Sequence, residues 1–161
     1  MSAPNSSDRN QYATFEVGGE YLGIRVLQVQ EVLRRLQVTP VPLAPPVVAG
    51  LINLRGQIIP ALELRRLFHL DERTDPEQAL SVVLRTDAGA VTVQVDDIGD
   101  VVEIESTAVQ PPPLHVEAHL KRCLSGVCQM KDRMLLLLDV ARTVDVSAAY
   151  SPNTENELKR K

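Results

Sequence analysis

The chain has 161 residues, a mass of 17.7 kDa and a formal net charge of −4. About 100–150 residues is the usual size of one domain, so the length allows one ordinary domain or two very small ones. An acidic chain offers no basic field to phosphate backbones. With 3% aromatics and no Trp it also lacks the faces on which nucleic-acid bases stack, which argues against a base-stacking binder. Valine, leucine and isoleucine supply 48 residues (21, 21 and 6), so the core must be aliphatic. No apolar run is long enough to span a membrane. The start, Met1 to Asp8, has neither a basic cluster nor an apolar stretch and does not read as a signal peptide. Cytoplasmic residence is the expectation.

Residues 1–10 and 151–161 are polar and read as disordered tails. Between them, Tyr12 to Val17 alternates, with Ala13, Phe15 and Val17 on the face that wants burial. Gly18-Gly19 marks a tight hairpin, because glycine accepts positive φ without strain. Glu20 to Val26 is the return strand. In Leu27 to Leu36 the period changes: Val29, Val32, Leu33 and Leu36 are helix-spaced and predict a helical turn or short helix. Thr39 to Pro46 follows, where four prolines forbid a central strand or a long helix. Leu51 to Leu64 carries two strands broken at Arg55-Gly56, and Asp71 to Gln78 is a polar gap. Leu80 to Arg85, Ala90 to Val95 and Ile98 to Ile104 are three further strands. Pro111 to Pro113 opens a stiff loop, Val116 to Cys123 reads as a short helix, and Leu124 to Met130 and Met134 to Leu138 are the last strands.

The chain also repeats itself. Gly50 to Glu63 aligns without gaps on Gly126 to Asp139, an offset of 76. Glycine, apolar alternation, a turn pair, a second apolar run and an acid fall in register. A weaker match sets Phe15 to Val32 on Leu84 to Val101, an offset of 69. Both matches in the same order point to a duplicated five-strand unit. Each unit is too small for a rich core of its own, and closed or nearly closed barrels remove exposed strand edges. The predicted fold is therefore all-β: two five-stranded barrels packed together over a shared apolar layer, with short helical segments.

Three clusters could carry chemistry. His115, His119, Cys123 and Cys128 include a histidine pair at i and i+4, which suits zinc. Structural zinc sites usually show close cysteine pairs, so the favoured reading is a solvated helix face with both cysteines buried as small apolar residues. No metal and no cofactor is assigned. Cys123 near His119 suggests a nucleophile and base, yet no orienting acid, oxyanion motif or phosphate-binding glycine loop accompanies them. The expectation is no enzyme. The carboxylates Asp96, Asp97 and Asp100 are clustered in a turn and read as solvated. The remaining feature is Asn53-Leu54-Arg55-Gly56, a turn between two strongly apolar strands. Its plain role is a surface arginine capping a turn, with Gly56 taking positive φ. Its functional role is an anchor in a protein groove, where arginine is enriched.

Pro45 to Pro60, with a proline, a glycine five residues on, and then Asn53-Leu54-Arg55-Gly56, closely resembles the signature of the CheW chemotaxis adaptors. Tyr21 to Ile24 with Val29 to Val32, Val95 to Val101, and Gly126 with Asp132 to Leu135 and Leu138-Asp139 resemble further stretches of that family. The resemblance runs from about Tyr12 to Val144 and implies two five-stranded SH3-like β-barrels. It places a first barrel at about 11–70 and a second at about 79–146 within a domain of 11–150, with strand exchange between them left open. It implies a non-enzymatic scaffold joining the cytoplasmic tips of methyl-accepting chemoreceptors to the regulatory domain of the histidine kinase CheA, at membrane-associated arrays. It implies that Arg55, Asn53, Glu31 and Val29 line the receptor-facing groove, and that the barrel ends meet the kinase in alternating rings. Individual kinase-binding residues stay unassigned. Glu63 stands where the family often has Asp. His69, His115, His119 and Cys123 are outside the family pattern. The alternatives are an adaptor of a related pathway, such as pilus-driven surface motility, and a metal- or thiol-dependent sensor. A kinase regulatory domain and a fused receiver are disfavoured, because no phosphotransfer or receiver segment is present.

Overall fold

The computed structural model describes residues 10–34 and 36–145, so the two polar tails lie almost wholly outside the described residues. Ten strands follow in chain order: β1 Gln11–Val17, β2 Glu20–Arg25, β3 Val29–Arg34, β4 Val48–Leu54, β5 Gln57–Glu63, β6 Leu80–Thr86, β7 Gly89–Val95, β8 Asp97–Glu103, β9 Leu124–Gln129 and β10 Met134–Leu138. Three one-turn helices, α1 Leu64–Leu67, α2 Ala118–Lys121 and α3 Val140–Thr143, follow β5, precede β9 and follow β10. The strands form two five-stranded mixed sheets, ordered β8-β1-β2-β10-β9 and β3-β6-β7-β5-β4.

Each sheet draws strands from both halves of the chain. The sheets therefore do not divide at residues 70 and 79: β1 and β2 join β8 to β10, while β3 to β5 join β6 and β7. The parallel pairs β2–β10 and β5–β7 and the antiparallel pairs β1–β8 and β3–β6 make the exchange. The repeat explains the symmetry of this arrangement. Shifted by 69 or 76 residues, β1 to β5 become β6 to β10, and one sheet order becomes the other. Even the irregularities match. A bulge interrupts β3–β6 between Val29 and Glu31, and its counterpart interrupts β1–β8 between Ala13 and Phe15.

That bulge corrects the reading of Leu27 to Leu36. A single 3-10 turn, Val26–Gln28, is followed by a strand, not a helix. The extra residue at the bulge shifts the alternation, so Val29 and Val32, three apart, both pack on the same core. Leu33 and Leu36 pack on another. A bulged strand thus imitates helical spacing.

The core has three layers. Phe15, Leu22 and Ile24 from one sheet meet Val82, Leu84 and Val93 from the other in a shared central cluster, with Leu64, Leu67 and Val140 from the short helices. Behind the first sheet lie Tyr12, Cys128, Leu135 and Leu137. Behind the second lie Ile52, Ile59, Ala61 and Val83. The Leu135–Leu138 run is buried on both faces, alternating between central and outer clusters. Tyr12 and Thr14 are likewise buried, although alternation assigned them to the solvent face. Each fully buried leucine or valine contributes about 1.5–3 kcal/mol, so a narrow aliphatic core of many such residues replaces the missing aromatics.

Two glycines sit where the repeat demands them. The proline segment crosses β4 through a bridge from Thr39 to Leu51, and Gly50, at φ +153, would drive a Cβ into the Thr39 carbonyl. The second proline loop crosses β9 through Gln110 and Val127, where a Cβ on Gly126 would stand 2.6 Å from Val109 Cγ1. These crossings cover strand edges that would otherwise be open.

Candidate functional site

The β4–β5 hairpin closes through two residues, Arg55 at φ +54 and Gly56 at φ +86. Two successive positive φ values match the twist of the strands, which is why short hairpins favour this turn. Glycine takes the conformation freely. Arginine does not, and backbone strain at an exposed residue is a mark of function when other evidence supports it. The Asn53 side-chain oxygen accepts the Gly56 N–H at 2.9 Å and holds the turn. Thus Asn53 caps the turn from within β4, and Arg55 is the residue the turn presents.

Arg55 is not loose. Its Nη1 and Nη2 donate to Glu31 Oε2 and Oε1 at 2.6 and 2.7 Å, a bidentate fork. The arginine side chain is 66% exposed and the glutamate 23%. The hydrogen bonds from Arg55 hold the Glu31 carboxyl below its usual range, against the opposing desolvation. Glu31 reaches this position because of the β3 bulge, which is anchored from β6. Arg85 Nη1 donates to the carbonyls of Leu27 at 3.2 Å and Val29 at 2.9 Å. Val29 itself is half-buried and packs on the central core beneath the bulge. Three of the four residues that the sequence singles out are therefore joined at the hairpin tip, while Val29 supports the strand. Outward on the same hairpin, Leu51 and Ile58 are exposed apolar residues, and Leu27 is exposed at the turn before β3.

A second polar cluster escaped the sequence reading. Asp96, between β7 and β8, is no solvated turn residue. Arg65 Nε and Nη2 donate to it at 3.0 and 2.7 Å, Arg73 Nη2 at 2.8 Å and the Gly18 N–H at 2.6 Å. Arg73 also pairs with Glu63, whose carboxylate accepts the Arg65 N–H at the start of α1. Burial pushes the Asp96 carboxyl up, but hydrogen bonds from Arg65, Gly18 and Arg73 outweigh it and bring it to about 2. This network ties the β1–β2 turn to β5, α1 and the β7–β8 junction, linking the two sheets. Its partners lie 23 and 31 residues from Asp96, so no local spacing could announce it.

The His/Cys cluster is dispersed. His119 stacks on His69 with ring centroids 3.7 Å apart, and both are exposed. Cys123 lies in the central core and Cys128 in the outer one. Burial raises the Cys123 thiol pKa, which keeps it protonated and unsuited to nucleophile or ligand duty. Among the described residues no three His, Cys, Asp or Glu side chains are grouped to hold a metal, and no helix is long and apolar enough to cross a membrane.

The family model of the CheW-like domain matches residues 11–148. The chain belongs to the CheW-like domain family. It is 31% identical over 139 residues to the Chemotaxis protein CheW of Treponema pallidum, covering 84% of this chain and 82% of that one. The Chemotaxis protein CheW of Klebsiella aerogenes is 30% identical over 132 residues, covering 82% and 80%. Protein FrzA of Myxococcus xanthus is 31% identical over 128 residues, covering 79% of each. The crystal structure of the scaffolding protein TtCheW from Thermoanaerobacter tengcongensis shares the fold, with a TM-score of 0.73 at 23% identity over 81% of this chain and 89% of that one. The protein is thus a CheW-like scaffold of chemotaxis signalling, and its family is non-enzymatic.

Proposed function

We propose that this scaffold couples the cytoplasmic tips of methyl-accepting chemoreceptors to the regulatory domain of the histidine kinase CheA, in the cytoplasm at membrane-associated receptor arrays. The observation that carries the receptor side is the Glu31–Arg55 fork on a rigid two-residue turn. A guanidinium that is fixed in direction yet largely exposed can meet a carboxylate or a row of carbonyls with little further loss of rotamer freedom. Leu51, Ile58 and Leu27 supply exposed apolar surface for a helix bundle to cover. Asn53 preserves the turn, Glu31 aims Arg55, and Val29 keeps β3 in place. The kinase is contacted at the ends of the two sheets.

Coupling needs no chemistry. A scaffold that binds one receptor state more tightly shifts the kinase equilibrium by that differential affinity and no more. Co-sedimentation of the chain with a receptor signalling fragment and the kinase tests this reading: a ternary complex is expected, and its absence at high component concentration overturns it. The similarity to FrzA supports a second reading, in which the same scaffold serves a related chemosensory pathway. Co-sedimentation with the kinase of each pathway in the source cell separates the two, because only the cognate kinase should be retained.

A further inference from the structure

A cleft of about 680 Å³ opens beside the second sheet, away from the Arg55 hairpin tip, between the segment after β3 and the β5–β6 connection. Its walls include Leu36 and Val38, and its polar groups include Gln94 of β7, Glu63, Arg73 and Glu77. Gln94 is the informative residue. It is 8% exposed, lies in a strand inside the sheet, and its side-chain amide has no hydrogen-bond partner among the described residues. The amide is also not sealed among packed atoms, unlike Arg73 Nε, which is. The amide therefore opens to the solvent of the cleft, with a donor and an acceptor that a ligand can take up in place of water.

The charges define the rest. Arg73 is spent on Glu63 and Asp96, and Arg66, also at the cleft, is spent on Glu72 and the Pro46 carbonyl. Glu77 has no ion-pair partner among the described residues, so the one uncommitted charge lining the cleft is negative. A complementary ligand carries a secondary amide for Gln94, an apolar stem for the Leu36 and Val38 wall, and a cation for Glu77. Those three features in one unit describe a lysine- or arginine-bearing peptide segment. The volume lies within the range of pockets that enclose small ligands.

We propose that this cleft docks a basic side chain of a partner protein together with its flanking peptide group, the amide pairing with Gln94 and the cation with Glu77. The inference stands apart from the adaptor reading, since it uses none of the residues at the Arg55 hairpin. The test is titration of the ¹⁵N-labelled full chain with N-acetyl-lysine methylamide, followed at the side-chain amide signals of Gln94. Saturable shifts are expected there. N-acetyl-norleucine methylamide, which keeps the amide and stem but lacks the cation, is expected to bind about tenfold more weakly. Glu77→Lys, on an exposed turn where the fold is not at risk, should lose the preference for lysine and favour N-acetyl-glutamate methylamide. Gln94→Leu, confirmed folded by its melting temperature, should weaken both blocked amino acids alike. Absence of saturable shifts at Gln94, or lysine binding that Glu77→Lys leaves unchanged, overturns the proposal.

Discussion

The two halves of this chain share a backbone plan and diverge in their charged side chains. Offsets of 69 and 76 superpose Glu31 on Asp100 and Arg55 on Lys131, with both acids at matched bulges and both cations at matched turns. Yet only the first pair meets. Arg55 forks onto Glu31, whereas no ion pair joins Lys131 to Asp100 among the described residues. The turns differ too: Leu54 and Gln57 are joined by two residues, while Gln129 and Met134 enclose four, closed by Met130 N–H on the Arg133 carbonyl at 2.9 Å. Lysine lacks the planar fork, and aspartate is one methylene shorter. The same contrast recurs at the strand ends. Glu63 and Asp139 both cap a one-turn helix, but Glu63 is drawn into the Asp96 network and Asp139 pairs only with neighbouring Arg142 at 3.3 Å. Duplication built the scaffold twice. Specific side chains then made one end a lock and one hairpin a presented arginine.

The largest expected effect breaks the lock. Asp96→Ala takes from Arg65 the carboxylate that accepts its Nε and Nη2 and leaves Arg73 with Glu63, and hydrogen bonds to charged groups are worth about 1.5–3 kcal/mol each, so a loss of about 3 kcal/mol is expected in denaturant unfolding. The corresponding change at the other end, Asp139→Ala, removes a helix cap and an exposed pair and should cost only about 1 kcal/mol. Equal costs would mean that the ends do not differ as described. The lock also sets an acid limit. The folded carboxyl at about 2 lies below its unfolded value of about 3.9, so its stabilisation is complete above about pH 4. It is lost as the pH falls toward 2. Asp96→Asn should flatten the acid branch of a stability–pH curve, and an unchanged branch would contradict the assignment.

The matched glycines give a graded test. Gly50→Ala must strain a positive φ and push back the Thr39 carbonyl, a backbone atom. Gly126→Ala meets the Val109 side chain first, which can turn away, although the Gln110 carbonyl is 3.0 Å distant. Costs of about 3 and 1 kcal/mol, respectively, follow from overpacking, and melting temperatures should fall in that order. Reversal of the order would show that the Thr39 backbone yields more readily than Val109 and Gln110. Smaller still is Arg85→Ala, which frees the β3 bulge from its two carbonyl contacts. Stability should fall little, whereas faster hydrogen exchange should appear in β3 and not in β8.

Strands buried on one face are legible from their alternation, as in β4, whereas β6 is buried on both faces and reads as a short continuous apolar run between turns. The repeat was legible because its glycines and turn pairs recur at fixed offsets. The bulge in β3 was not, because one inserted residue brings Val29 and Val32 to one face and imitates a helix. Strand exchange was equally silent, since parallel pairing of β2 with β10 depends on the joint burial of segments more than a hundred residues apart. At the candidate site, Arg55 and Asn53 stood out by their turn. Glu31 came from the family resemblance alone, and its fork onto Arg55 needed the structure. Asp96 reads as solvated in the sequence because its arginine partners lie 23 and 31 residues away.

In the proposed complex the Arg55 fork, and not the matching Lys131 turn, faces the receptor. Co-sedimentation with a receptor signalling fragment, comparing Arg55→Glu with Lys131→Glu, tests it most directly. Arg55→Glu is expected to abolish receptor-dependent retention while the melting temperature barely moves, and Lys131→Glu to be retained like the unmodified chain. Full retention of Arg55→Glu, or equal loss by both variants, would contradict it.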